Sequence, residues 1–239
     1  MIKLENLDIL GFEPALRGMR NPMNSWDKSD SHKALTGDEW ALDCGYLIGD
    51  ADHDLAMKLV KAGSDHGKFL RMIAVYVDIT APLYWWKEFD TYKVGTVANS
   101  CSTMHKIQDK EFTEGDFSME HLQGYSYRMD IIEDRIPKVE LGDGSMFLSP
   151  RGVMTCAVIP MLNTLRHLYL QGGQKDNKIW YQMIQLLPSS YNQRRTVMLN
   201  YEVLRRIYHA RKNHKLDEWR ILCKWVETLP YAELITGED

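Results

Sequence analysis

The sequence predicts an α+β protein of helices packed on a small sheet. Two observations carry this. The run Ile73 to Ile79 (IAVYVDI) is rich in β-branched residues with a period-two component, so it reads as a strand. Several other stretches space their apolar residues at helical intervals. The 239 residues are 44% hydrophobic and 26% charged, an ordinary globular balance with enough chain for one large core. We expect a single domain over residues 1–239, because no repeat, low-complexity tract or linker interrupts the chain.

In chain order, Met1–Pro14 (MIKLENLDILGFEP) lacks the long apolar region of a secretory leader, since Glu5 and Asp8 interrupt it. Leu55, Leu59 and Val60 predict a helix over Asp54–Ala62, with Gly63 as its stop. After the strand, Pro82 can open a helix, where its missing N–H is harmless. Trp85, Trp86, Phe89 and Tyr92 then form one apolar face, and Gly95 ends or bends it. Asp109–Gly144 reads as loops and short helices, with a hairpin at Gly142-Asp143-Gly144. Met154–Tyr169 is a long helix that Pro160 kinks or restarts. Met198–Lys212 and Leu216–Val226 carry the most regular stripes and are read as core-facing helices.

Composition excludes several classes. The chain contains no apolar run of about 18 residues, the length a membrane span needs. A net charge of −4 excludes a generic nucleic-acid binder. Cys44, Cys101, Cys156 and Cys223 are scattered, so they read as reduced, mostly buried thiols of a cytoplasmic protein. Glycine-rich nucleotide loops and a Gly-x-Ser-x-Gly elbow are absent from the sequence. His209 and His214, five apart, do not share a helix face as a metal pair would. Charge is uneven: residues 192–220 hold eight cations against three acids, whereas residues 108–144 hold ten acids against four bases. A confined basic cluster on an acidic protein suits either a local anion site or a solvated helix face.

Three blocks, taken together and in order, resemble the flavin-dependent thymidylate synthases, the ThyX family. In the first, Ile79-Thr80-Ala81-Pro82 resembles the family's Ile-x-Ala-Pro turn. The helix that follows carries Lys87-Glu88 where the family has Arg-Gln, and Thr91-Tyr92-Lys93-Val94-Gly95-Thr96 in the register of its Arg-His-Arg-x-x-Ser signature. Asn99-Ser100-Cys101-Ser102 follows, similar to Asn-Glu-x-Ser with a one-residue shift, and His66 matches the first family histidine upstream. Arg71-Met72 stands where the family has Glu-His. The second block is Leu187-Pro188, Tyr191, Gln193, Asn200, Arg211 and Glu218, with Ile184 at a family arginine. The third is Ala15-Leu16-Arg17.

The resemblance implies a ThyX-like fold assembled as a homotetramer, of a divergent kind carried by bacteria and their phages. It implies a pyrimidine nucleotide of the dUMP type held by Arg211, Ser102, Asn99, Glu88 and Thr91. It implies FAD against Tyr92, Lys93, Thr96, His66 and Asn200, with NADPH as reductant and methylenetetrahydrofolate as one-carbon donor if the protein is active. The cofactor then carries the chemistry and no protein nucleophile is required. Arg194, Arg195 and Lys215 offer further phosphate contacts, and the polar stretch Arg17–Trp26 either lines a site or is a turn-rich connection. For Arg211 the plain reading is a salt bridge to Asp217 or Glu218; for Tyr92, Trp85 and Trp86 it is core packing. Two functions stay open: C5 one-carbon transfer to a dUMP-type nucleotide, or non-catalytic nucleotide binding or sequestration on a retained fold. A structural protein with a vestigial pocket is the third.

Overall fold

The amino-terminal residues form a strand. In the computed structural model, which describes residues 1–34, 45–122, 127–128 and 147–237, β1 spans Lys3–Leu10 and α1 spans Phe12–Arg20. Helix α2 is Asp50–Lys61, β2 is Ala74–Pro82, α3 is Leu83–Phe89 and β3 is Val97–Ser100. Helices α4 (Ile159–Gln171) and α5 (Asn177–Leu186) precede β4 (Asn192–Asn200). The chain continues with α6 (Tyr201–Arg211), α7 (Asp217–Val226) and α8 (Glu233–Thr236). No helix among the described residues is long and apolar enough to cross a membrane. The glycine hairpin at 142–144, Cys44 and most of the acidic stretch lie outside the described residues.

The chain forms two compact units. The first comprises Ile2–Ala81, Trp85–Ser100 and Arg194–Asp239. Its sheet has the order β1-β2-β4-β3, with β1 antiparallel to β2 (Leu4 opposite Ile79) and β3 antiparallel to β4 (Ala98 opposite Val197). Along β2, Val75, Val77 and Ile79 are buried while Tyr76, Asp78 and Thr80 face the other way, which is the predicted alternation. Asp78 staples three strands: Asn6 Nδ2, Arg194 Nη2 and Thr196 Oγ1 all donate to it, at 2.8, 2.7 and 2.5 Å. The Thr196 hydroxyl, and after it Arg194, hold its carboxyl far below the usual aspartate range. Trp85, Trp86, Phe89, Leu204, Ile207, Trp219, Leu222 and Val226 are buried in the helical layer.

One region departs from its sequence pattern. The stripe that predicts a helix from Met198 belongs to β4 as far as Asn200, and the helix starts only at Tyr201. Val197 and Leu199 are buried strand residues, but Leu199 also stands four before Val203, so the last apolar residue of the strand extends the helical stripe.

The second unit comprises Met1, Pro82–Tyr84 and Cys101–Gln193. Ile107, Phe112, Phe117, Met119, Met154, Ile159 and Leu162 form its core. Asn163 ties a loop to α4, accepting from the Phe112 N–H at 2.8 Å and donating to its carbonyl at 2.9 Å. The predicted helix over Met154–Tyr169 exists, but Met154–Val158 is a π segment leading into α4. Two of the three described cysteines, Cys101 and Cys156, are exposed, and Cys223 alone is buried, against the expectation of mostly buried thiols. A thiol at position 101 falls at a strand end and one at 156 on the solvent side of the π segment, where no core packs.

A deeply enclosed ion pair lies in the first unit. Arg20, at the end of α1, is 4% exposed and Asp52, in the first turn of α2, is 0% exposed. Arg20 Nε donates to Asp52 Oδ1 at 2.5 Å, while Ser29 Oγ and Ser31 Oγ each donate to Oδ2 at 2.6 Å. Asp30 accepts from the Ala51 and Asp52 N–H groups at 2.9 and 3.1 Å, capping α2 from outside. Burial pushes the Asp52 carboxyl up, but the bonds from Ser29, Ser31 and Arg20 outweigh it, so the net shift is downward.

Removing one partner strands a buried charge, which costs about 3–5 kcal/mol. Arg20→Ala and Asp52→Ala should each lose that much in urea unfolding, and a joint Arg20→Met/Asp52→Leu replacement should recover most of it. Because the folded value of Asp52 lies below its ordinary value of 3.8, its contribution is complete above that pH. Acid titration should remove it as pH falls through the folded value, and Asp52→Ala should flatten that limb of the stability profile.

Candidate functional site

Three pieces of the first unit surround a cavity of about 860 Å³: the end of α1 with the turn after it, the apolar side of α2, and the short helical turn Gly67–Met72. The volume is that of a ligand pocket for a small organic molecule. Leu55, Leu59, Phe69 and Met72 supply apolar lining; Arg17, Lys68 and Arg71 supply cations; His66 and Asp65 complete one side. Arg71 Nη2 also lies 3.3 Å from Glu202 Oε1. The Gly67–Met72 turn approaches the start of α1 so closely that a Cβ on Gly11, at φ +101°, would stand 2.2 Å from the Met72 carbonyl oxygen. Glycine is required there twice over, by backbone angle and by space.

Arg211, at the end of α6, is not among the residues lining this cavity. Its Nε donates to Tyr92 Oη at 3.0 Å, and its Nη1 lies 3.4 Å from Glu88 Oε2. The guanidinium sits 4.9 Å from the centre of the Trp219 ring. Glu88 Oε2 accepts from Trp219 Nε1 at 2.7 Å and has His214 Nε2 at 3.8 Å. The carboxylate partner of Arg211 is therefore Glu88, and Asp217 pairs instead with Arg220. Arg194 and Arg195, offered as phosphate contacts, are bound to Asp78 and Asp90, each at 2.7 Å. Arg195 also lies 4.1 Å over the Trp86 ring. Trp85 and Trp86 are fully buried and pack edge to face, so their role is core packing.

The remaining residues of interest divide by local geometry. Tyr92, Lys93 and Thr96 line a shallow 150 Å³ recess with Phe89, Asp90 and Ala98. Thr96 Oγ1 donates to the Tyr92 carbonyl, and Thr91 Oγ1 donates to the Glu88 carbonyl at 2.7 Å, so both hydroxyls close turns. Asn99 is exposed on β3, opposite Thr196. Asn200 caps α6, its Oδ1 accepting from the Val203 N–H at 3.0 Å. Gly95, at φ +80°, passes close by; a Cβ there would come within 3.0 Å of Asn200 Nδ2. In the second unit, Ser102 caps the helix Thr103–Lys106 by accepting from the His105 N–H at 3.0 Å. Of the residues singled out from sequence, the cavity thus gathers His66, Arg17, Arg71 and Met72; Arg211, Glu88 and Tyr92 form a separate cluster.

Comparison with known proteins gives one kind of match. No family model matches the sequence, and no curated protein does. Among solved structures, thymidylate synthase X from Helicobacter pylori with FAD and dUMP superposes with a TM-score of 0.60 at 16% identity, covering 100% of this chain and 97% of that one. A second Helicobacter pylori ThyX structure, complexed with FAD and dUMP, gives 0.59 at 16% identity, covering 100% and 98%. The fold is ThyX-like.

On that ThyX-like frame, Lys68, Leu55 and Leu59 are lining residues that sequence reasoning missed. Lys68 sits in a turn with no periodicity to mark it, whereas Leu55 and Leu59 marked a helix without marking what that helix faces. No group of three or more metal-ligating side chains occurs among the described residues.

Asn200→Ala should destabilise the protein by about 0.5–2 kcal/mol through loss of the α6 cap, with Asn200→Ser or Asn200→Asp retaining most of it. Thermal unfolding of the three variants checks this, and a loss equal in all three would place the role of Asn200 elsewhere.

Proposed function

We propose that this chain is a divergent ThyX-like protein, one domain over residues 1–239, that binds a phosphate-bearing aromatic ligand of the flavin or pyrimidine-nucleotide class in the His66 cavity. The observation that carries the reading is the pairing, in one 860 Å³ space, of an apolar lining with three cationic side chains. Such a lining suits a flat ring system, and the cations suit its phosphates. FAD fits this donor set: Arg17, Lys68 and Arg71 would hold phosphate oxygens, Phe69 and Met72 would face a ring, and His66 would hydrogen-bond its edge. When bound, FAD would supply hydride chemistry fed by NADPH, and with methylenetetrahydrofolate it would serve C5 one-carbon transfer to a dUMP-type nucleotide in a homotetramer.

A second reading, in which the His66 cavity holds its flavin or nucleotide without one-carbon transfer, is favoured by one observation. The guanidinium of Arg211, which the resemblance assigns to the nucleotide, is already engaged by Glu88 and Tyr92. A phosphate arriving there meets a carboxylate instead of an open cation.

An absorption spectrum of the purified chain, with and without added FAD, tests the proposal. Flavin bands that remain after gel filtration support it. Dependence of flavin oxidation on dUMP then selects one-carbon transfer, and its absence with retained dUMP binding selects holding. Arg17→Ala and Arg71→Ala should each weaken FAD binding about tenfold, the loss of one charge-assisted bond. Neither FAD nor any pyrimidine nucleotide raising the melting temperature would overturn both readings.

A further inference from the structure

Helix α6 presents Glu202, Arg205, Arg206 and His209 at three- and four-residue steps, so they share one side of the helix. They line a second cavity of about 670 Å³, together with Ser64 and the apolar Val60 and Leu70. None of the residues assigned to nucleotide or flavin above lines it.

The polar groups around this space are unequally engaged. The Glu202 carboxylate has Arg71 3.3 Å away. Arg205 Nη1 donates to the Ile235 and Gly237 carbonyls at 3.1 and 2.6 Å, which holds its guanidinium in place. Arg206 and Ser64 make no side-chain hydrogen bond or ion pair among the described residues, and His209 Nε2 is buried with no partner there. A buried polar atom without a partner is unfavourable until a ligand supplies one. An unengaged guanidinium and a hydroxyl lining one space, with the His209 ring at its border, suit an oxyanion, and a guanidinium fork fits phosphate best.

We propose that this second cavity is a phosphate site. Arg206 and His209, with Ser64, take the oxygens of a phosphate group, and Arg205 adds positive potential. The cavity is far larger than a bare phosphate, and Val60 and Leu70 are apolar, so the ligand is a phosphate monoester with a small apolar body. The proposal does not rest on the reading of the His66 cavity.

Inorganic phosphate and phenyl phosphate, titrated into the full chain by calorimetry, test it, with phenol as the phosphate-free control. We expect saturable binding, tighter for phenyl phosphate than for phosphate, and none for phenol. Arg206→Ala and His209→Gln should each weaken it about tenfold or more, while Arg17→Ala, in the first cavity, should leave it unchanged. Arg206 is exposed, so its replacement should leave thermal unfolding unaltered. The His209 ring resonances should also shift on titration. Binding of phosphate and phenyl phosphate with equal strength would overturn the assignment to a phosphate monoester. No saturable binding, or binding that Arg206→Ala and His209→Gln both leave intact, would overturn it. So would binding lost on Arg17→Ala, which places the anion in the first cavity, whose occupancy by flavin is read independently from the absorption spectrum.

Discussion

The first unit is organised around a charge taken out of water. A carboxylate as enclosed as Asp52 is tolerable only when its lone pairs are filled, and here Arg20, Ser29 and Ser31 fill them. To reach it, the chain after α1 must fold back over the start of α2, and Asp30 fixes that return by capping the helix. Asn21, Pro22, Met23 and Ser25 belong to the folded-back segment, and they form one side of the large cavity. The cavity is therefore a by-product of ionic geometry as much as of hydrophobic packing. A buried pair of this sort adds little net stability over an apolar substitute, but it admits few alternative arrangements of the segment that carries it.

Positive charge available for anions has a different distribution from the one the ThyX resemblance implies. At the signature positions the chain has Thr91, Tyr92 and Lys93, and the nearby Arg211 is enclosed by aromatic rings and balanced by Glu88. The arginines of β4 are likewise balanced, by Asp78 and Asp90. The cations that line the two larger cavities lie instead on the turn Gly67–Met72, on α1 and on α6. These cations thus lie on surfaces whose residue types differ from the pattern the resemblance implies, while the backbone frame is ThyX-like.

Legibility in the sequence followed the strength of the local pattern. The strand at Ala74–Pro82 and the helices at Asp50–Lys61 and Asp217–Val226 were readable because alternation or a helical stripe coincides with burial on one face. The amino-terminal strand was not read as one: only Ile2 and Ile9 are buried near it, too sparse for a periodic signal. The π segment shows why Met154–Tyr169 resisted a simple stripe. Met154 and Ile159 are both buried, yet five residues at about 100° each leave them roughly 140° apart on a regular helix. The wider π turn closes that gap. At the candidate site, His66 and Arg17 were visible through the family blocks; the Arg20–Asp52 pair that holds the neighbouring segment was not, since a pair 32 positions apart leaves no mark in local spacing.

Gly11 sets a condition on descent as well as on structure. The Met72 carbonyl lies where any side chain at position 11 would begin, so the α1 start and the Gly67–Met72 turn can diverge only together. A relative that carries a bulkier residue at this point must have rebuilt the turn bearing Lys68 and Arg71, and with it the lining of the adjoining cavity. One small residue outside the cavity thus serves as a marker for whether two such proteins share that lining.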